Sequence, residues 1–234
     1  PFFFIDTSTT VIYTLSLHVA LPIYLSGQEL CEQLGVSRTA VWKYMKQLKE
    51  EGYEIEAVQN KGYCLKDVPD VLGESEIKSR LHTRWAGQTL YYYDEIDSTN
   101  TQIKRLAEED APHGTLAVAD YQSRGKGRRG RAWDSPHGSA IYMSILFRPE
   151  IRPDRASMLT LVIGLSVTQA IRSNLGLQAQ IKWPNDVVLN GKKLVGILTE
   201  MSAQMNYIEY LVTGDRKSTR LNSSHPSISF AVFC

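Results

Sequence analysis

Gln180-Ile181-Lys182-Trp183-Pro184-Asn185-Asp186-Val187-Val188-Leu189-Asn190-Gly191-Lys192-Lys193-Leu194-Val195-Gly196-Ile197-Leu198-Thr199-Glu200 decides the fold class. Residues 180–183 read as a strand. Pro184 biases the residue before it to an extended backbone, and Pro184-Asn185-Asp186 turns the chain. Val187 to Leu189 is the next strand. Asn190-Gly191 is a two-residue hairpin signal, and residues 193–200 complete an antiparallel ladder. Alternation sends Ile181 and Lys182 to opposite faces of the sheet. A lone strand lysine ordinarily faces water. Lys182 stands just before a rigid turn, where a strand end commonly meets a cleft.

Upstream of the ladder, residues 155–175 read as a long apolar helix ended by Gly176, a residue type that accepts the positive φ needed there. Further upstream, the strand 115–120 leads into Tyr121-Gln122-Ser123-Arg124-Gly125-Lys126-Gly127-Arg128-Arg129-Gly130-Arg131. Residues 125–130 match GxGxxG, but that motif must open a helix to bind a dinucleotide. Pro136 and Gly138 argue against a helix here, so the match is read as accidental. What remains is five cations in eight residues on a backbone with three glycines. Glycine permits close approach, and the cations favour phosphate. The segment is read as a phosphate-closing lid; a nucleic-acid patch or a plain solvated loop is the bland alternative. Before it lies the strand 90–94, then Asp97-Ser98-Thr99-Asn100 and a helix with Ile103, Leu106 and Ala107 on one face. Ser98 can be an ordinary N-cap. The strand-to-helix turn can equally hold a polar head group on its free N–H groups.

The amino-terminal stretch from Leu25 to Leu65 is a separate module. Ser26 and Glu29 form a capping box for a helix to Leu34, closed by Gly35. Ser37 caps a second helix to about Glu51, closed by Gly52. Val41, Tyr44, Met45 and Leu48 fall on its inner side. Residues 53–58 and 63–65 form a hairpin around Gln59–Gly62. This is a winged helix–turn–helix pattern. Ser37, Arg38, Thr39, Trp42, Lys43 and Lys46 on the outer side of the second helix are the candidate DNA-reading residues, its first turn at base edges and the later lysines at phosphates. The bland alternative is a solvated face, and balanced charge over the module does not favour DNA by itself. A covering first helix would fall within residues 1–23.

A net charge of +1 places any attraction for anions in local clusters rather than the whole-molecule field. The three cysteines form no CxxC pair, so neither a zinc site nor a disulfide framework is expected and a reducing compartment fits. The chain has no uncharged apolar run of about 18 residues, so no membrane span is expected. Residues 1–23 carry no Lys or Arg, which excludes a secretory signal. The expected domains are 24–68 for the winged helix and 74–215 for a second domain, with a linker around Pro69 and Gly73. Residues 1–23 and 216–234 resemble translated adapter read-through and are read as foreign or unassigned.

DSTN at 97–100, GKGRRGR at 125–131 and KWPND at 182–186, in that order and spacing, resemble the biotin–protein ligase family. With the winged helix in front, the chain resembles its bifunctional ligase–repressor branch, over about residues 24–214. The resemblance implies an α+β protein: a winged helix, then a class II synthetase-like mixed or antiparallel sheet flanked by helices, with the family's C-terminal β-barrel missing. It implies two steps. Biotin and ATP, with Mg2+ on the phosphates, give biotinoyl-5'-adenylate. The acyl group then passes to a lysine of a biotin carboxyl carrier protein. It assigns Ser98, Thr99, Asn100 and Gln122 to the biotin head. It assigns Gly125, Lys126, Gly127, Arg128 and Arg131 to the loop over the adenylate, and Lys182 to the carboxylate and phosphate, with Lys182 and Arg128 as catalytic cations and no protein metal site. Operator DNA, a ligand-driven homodimer, repression of transcription and a cytoplasmic location follow from it. Lys126, where some members carry Arg, keeps charge but loses the planar fork. The strand ending at Gly214 lacks the glycine-rich continuation with an asparagine that supports the nucleotide in the family. A biotin-sensing regulator without catalysis and a lipoate-type acyl ligase are the alternatives.

Overall fold

Ser26 opens the first helix as the capping box requires. Its Oγ accepts from the Glu29 N–H at 3.1 Å, and Glu29 Oε2 accepts from the Ser26 N–H at 2.7 Å. The computed structural model describes residues 24–50, 52–67, 73–127, 132–138, 140–215 and 218–219. The chain divides into two compact units, Pro1–Arg80 and Leu81–Cys234.

The first unit holds α1 (Gly27–Leu34), α2 (Arg38–Glu50), β1 (Glu54–Val58), β2 (Gly62–Asp67) and α3 (Glu74–Arg80). Gly35 ends α1 with φ 64°, and the Ser37 hydroxyl accepts the Ala40 N–H at 3.2 Å to start α2. Leu30, Val41, Met45, Leu48, Tyr53, Ile55 and Leu65 form the core, with Tyr44 packed partly against it. The wing closes on Leu25, which exchanges backbone hydrogen bonds with Tyr63 at 2.9 and 2.8 Å. Gly62 makes this possible: it has φ 106°, and a Cβ there would lie 2.1 Å from the Leu25 carbonyl oxygen. The sequence reading missed α3, a seven-residue charged segment. It groups with the first unit, although the second domain was expected to start at Glu74. Tyr53 Oη donates to the buried Glu76 carboxylate at 2.8 Å. The expected first helix and the linker around Pro69 lie outside the described residues.

The second unit contains β3 (Leu90–Ile96), α4 (Thr99–Glu108), β4 (Leu116–Gln122), β5 (Gly125–Lys126), β6 (Ala132–Trp133), β7 (Ala140–Phe147), α5 (Ala156–Leu175), β8 (Gln180–Lys182), β9 (Asp186–Leu189), β10 (Lys192–Ala203), β11 (Ile208–Asp215) and β12 (Ser218–Thr219). The main sheet runs β3-β4-β7-β11-β10-β9-β8, with β12 beside β7. Only β3 and β4 pair in parallel among the described ladders, so the sheet is mixed and mostly antiparallel, as expected. Asn190 and Gly191 have φ 50° and 75°, the left-handed pair that a two-residue hairpin needs.

Strand alternation puts a helix on each face. Val212 packs with Ile103, Leu106 and Ala107 of α4. Its neighbour Leu211 points the other way and packs with Ala156 of α5. Farther along, Ile163, Val167 and Ile171 of α5 cover Val187, Val195 and Ile197. With its preceding turn, α5 is long and apolar enough to cross a membrane by length and composition. A helix that covers a sheet passes the same test, and Val167 and Ile171 are buried against this one. The readings of residues 1–23 and 216–234 as foreign concern residues outside those described, except Ser218 and Thr219, whose backbone pairs with Ile141 and Ala140. The expected loss of a C-terminal barrel falls there too.

Candidate functional site

The start of α4 is built into the sheet by polar contacts. Ser98, Thr99 and Asn100 are all buried, and so is Gln122 at the end of β4. Gln122 Oε1 accepts the Thr99 backbone N–H at 2.9 Å and lies 3.1 Å from Thr99 Oγ1, while its Nε2 donates to Ser135 Oγ at 3.1 Å. Ser144 Oγ lies 2.8 Å from Thr99 Oγ1 and 2.6 Å from Asn100 Oδ1. Asn100 Nδ2 donates to Glu200 Oε2 at 2.8 Å, and Lys104 Nζ donates to Glu200 Oε1 at 2.6 Å. The first and second motifs therefore meet in one network. Sequence reading missed Ser144, Ser135, Lys104 and Glu200; the i, i+4 spacing of Asn100 and Lys104 was the only local sign.

Ser98 occupies the N-cap position, yet its side chain makes no capping bond. Its hydroxyl is buried without a partner among the described residues. The ordinary capping explanation for this serine fails, because the Ser98 side chain does not satisfy the helix start. Asp97 takes part of that role: its Oδ1 accepts the Ser98 N–H at 2.7 Å, and Oδ2 accepts from Arg105 at 2.6 Å. Burial raises the Asp97 pKa. Hydrogen bonds from Arg105 and Ser98, with the charges of Arg105 and Lys126, outweigh this and hold it below the usual carboxylate range.

The glycine loop is fastened to the same turn. The N–H groups of Ser123 and Arg124 donate to the carbonyls of Ile96 and Asp97 at 2.8 and 2.9 Å. Gly125 and Lys126 then pair with Trp133 and Ala132. Among the described residues no helix follows the GxGxxG letters: Ala132–Trp133 is a strand. The close approach that Gly125 allows is to the chain itself, since a Cβ would lie 2.6 Å from the Trp133 carbonyl and 2.7 Å from Ser135 Oγ. Gly127 is buried and Lys126 exposed. Arg128 and Arg131 lie outside the described residues.

The third motif reaches this cluster through β10. Asn185 exchanges hydrogen bonds with Ile197 at 2.8 Å in both directions, and Glu200 is three residues further on. Ile197 faces α5, as does Thr199, whose hydroxyl bonds Thr160 at 3.0 Å. Glu200 must then face α4. Val187 also faces α5, so Asp186 and its cross-strand partner Lys182 lie on the α4 side. Asp186 binds Lys193 at 2.5 Å, and Lys193 Nζ sits 5.9 Å from the centre of the Trp133 ring. Trp133 is the residue that pairs with Gly125. Lys182 is exposed and has no hydrogen bond to Gln122 or Lys126.

In the first unit, Ser37, Arg38, Thr39, Trp42, Lys43 and Lys46 are exposed, as the helical spacing requires. Lys46 reaches toward both Glu50 at 3.8 Å and the Trp42 ring at 6.0 Å. Arg38 donates to Gln28 at 3.0 Å, so part of its fork is engaged by α1.

Comparisons with known proteins agree with this arrangement. An HTH domain model matches residues 22–64. The chain is 48% identical over 191 residues to the bifunctional ligase/repressor BirA of Bacillus spizizenii, covering 82% of this chain and 59% of that protein. It is 36% identical over 190 residues to the BirA of Escherichia coli, covering 81% and 57%. The chain thus spans about three-fifths of the length of these relatives. A biotin protein ligase variant from Aquifex aeolicus, solved with biotin, superposes with a TM-score of 0.50 at 31% identity, over 62% of this chain and 66% of that one. A family model described as the biotin/lipoate A/B protein ligase family matches residues 92–214, from β3 through Gly214 and all three motifs, and more than half of the sequence. By that match the chain belongs to the biotin/lipoate A/B protein ligase family.

Proposed function

We propose that this chain forms biotinoyl-5'-adenylate from biotin and ATP and passes the biotinoyl group to a lysine of a biotin carboxyl carrier protein. The observation that carries this is the meeting of Thr99, Asn100 and Gln122 in one buried network, with Lys182 on the same face of the sheet. A carboxylate oxygen of biotin attacks the α-phosphorus, and the bond to pyrophosphate breaks. Two anions approach each other in this step, so fixed cations are the natural stabiliser. Lys126 and Lys182 form no ion pair with a described residue, which leaves both charges available to phosphate. Arg128 and Arg131 are assigned to the same work by the motif. Mg2+ carried on the nucleotide would neutralise the leaving pyrophosphate. It needs no protein cage, and no cluster of three His, Cys, Asp or Glu side chains is present among the described residues. In the second step the carrier lysine attacks the acyl carbon and AMP leaves. Ser98, with its unpartnered buried hydroxyl, and Gln122 are the side chains assigned to the biotin head; Gly125 and Gly127 shape the loop beside it.

The first unit is assigned to operator DNA through residues 37–46, with repression responding to biotin by way of a ligand-driven homodimer. The exposed Arg38, Trp42, Lys43 and Lys46 support that assignment. The free thiols of Cys31 and Cys64 accord with a cytoplasmic location. Exchange of labelled pyrophosphate into ATP tests the catalytic reading. It is expected only when biotin is present; exchange that ignores biotin overturns it.

A further inference from the structure

Lys126 stands near two acids and pairs with neither. The backbone puts it there. The Arg124 N–H donates to the Asp97 carbonyl at 2.9 Å and the Ser123 N–H to the Ile96 carbonyl at 2.8 Å, so the loop leaves β4 from the turn that carries the Asp97 carboxylate. Lys126 is two residues further on and exposed. Burial raises the pKa values of Asp97 and Glu200. Hydrogen bonds and nearby cations outweigh this and hold both below the usual carboxylate range, and Lys126 is among those cations for each. Such nearness is a hazard for a cation that must meet phosphate. An ammonium closed into an ion pair has its charge offset at short range, and an arriving phosphate would have to break that pair.

Neither carboxylate is free to make it. Arg105 Nη2 donates to Asp97 Oδ2 at 2.6 Å, and Nη1 lies 3.4 Å from Oδ1, which also accepts the Ser98 N–H at 2.7 Å. Lys104 Nζ donates to Glu200 Oε1 at 2.6 Å, and Asn100 Nδ2 donates to Oε2 at 2.8 Å. Every oxygen of the two carboxylates thus has a donor. The two cations are consecutive on α4, and consecutive helix positions point about 100° apart, which lets Lys104 reach β10 while Arg105 reaches back to the turn. Arg105 is itself braced: Nη1 donates to Gln102 Oε1 at 3.1 Å, and Gln102 Nε2 donates to Tyr93 Oη of β3 at 3.1 Å. A planar guanidinium holds Asp97 and Gln102 together, which a lysine ammonium does less well.

We propose that Lys104 and Arg105 are positioning residues for Lys126: they occupy Glu200 and Asp97 and so leave the Lys126 ammonium unpaired for the phosphates of the nucleotide. This role rests on the ligase reading above, under which Lys126 meets phosphate. The charge balance around the loop is then local. Each acid near the root of the loop has its own cation on α4, and the lysine on the loop stays in surplus.

Pyrophosphate exchange by the full 234-residue chain, with ATP and biotin varied in turn, tests this. Arg105→Gln frees Asp97 to capture Lys126. It is expected to lower kcat/KM for ATP about fivefold, the scale of one exposed ion pair, while KM for biotin stays near that of the unchanged chain. Arg105→Lys should recover part of the loss. The deciding protein combines Arg105→Gln with Asp97→Asn. The asparagine oxygen still accepts the Ser98 N–H, but no carboxylate is left there to capture Lys126, so kcat/KM for ATP should return to within about twofold of the unchanged chain, the non-additivity of coupled groups. A pair that only braced the turn would leave the double variant no better than Arg105→Gln. If Arg105→Gln does not fold, Asp97→Asn alone decides: it should raise kcat/KM for ATP about twofold by removing a like charge from beside the phosphates, and a fall would count against the role. Unchanged kcat/KM for ATP in Arg105→Gln, or a double variant as weak as it, overturns the inference while the ligase reading stands. No biotin-dependent exchange by the unchanged chain overturns both.

Discussion

Lys182→Ala is expected to lower biotin-dependent pyrophosphate exchange by about 10²–10³-fold, the range seen when one fixed donor to a developing charge is removed. The loss should fall mainly on kcat, because the attack of carboxylate on phosphate gathers charge that the bound substrates carry apart. Stability should hardly change. Lys182 is exposed, ends a three-residue strand and has no ion pair with a described residue. A surface substitution of this kind stays within about 0.5 kcal/mol. Exchange at the wild-type rate in a folded Lys182→Ala protein would show that this lysine does not meet the reacting groups.

Gly214→Ala should produce the largest structural effect. Gly214 lies between Ser144 of β7 and Leu198 of β10 in the ladder. Its φ is not in the left-handed region, so the objection to alanine is space alone. The new Cβ would lie 2.0 Å from Asn100 Oδ1 and 2.9 Å from Ser144 Oγ. Neither neighbour can retreat cheaply, since each is held in the buried network by contacts of 2.6–2.8 Å. A cost of about 1–3 kcal/mol from overpacking is expected, read as a lower denaturant midpoint, with loss of biotin binding. Gly164→Ala is the matched control. Its Cβ would meet only Ile197 Cδ1 at 3.6 Å, an ordinary contact, within a helix. Relief of the helical glycine should stabilise by about 0.5–1 kcal/mol. Equal effects of the two substitutions would mean that the space beside Asn100 is not under constraint.

Local signals made much of the fold legible. The Ser26–Glu29 box, the Gly35 and Gly176 stops and the Asn190-Gly191 hairpin each depend on residues a few positions apart, and all are present. The ladder from Gln180 to Glu200 followed from alternation and two turns. α3 escaped notice because its seven residues, four of them charged and one apolar, show no full apolar period; only its packing buries Ile77. The site was half legible. Motif order brought Thr99, Asn100, Gln122 and Lys182 forward, but it suggested that Asn100 touches ligand. Glu200 and Ser144, which occupy its amide, lie 100 and 44 positions away. No local pattern announces such partners, because sheet order alone makes them neighbours. The same holds for Lys193, whose link from Asp186 to Trp133 joins two motifs through a residue belonging to neither.

The proposed site between Gln122 and Lys182 is open to direct labelling. Biotin p-nitrophenyl ester acylates amines that lie beside a bound biotin carboxyl group, and tandem mass spectrometry locates the product. Rapid acylation of Lys182 and Lys126, suppressed by free biotin, is the expected result, with the exposed Lys43, Lys46 and Lys192 reacting slowly as internal controls. Reaction of all five lysines at similar rates, insensitive to biotin, would contradict a single site between Gln122 and Lys182.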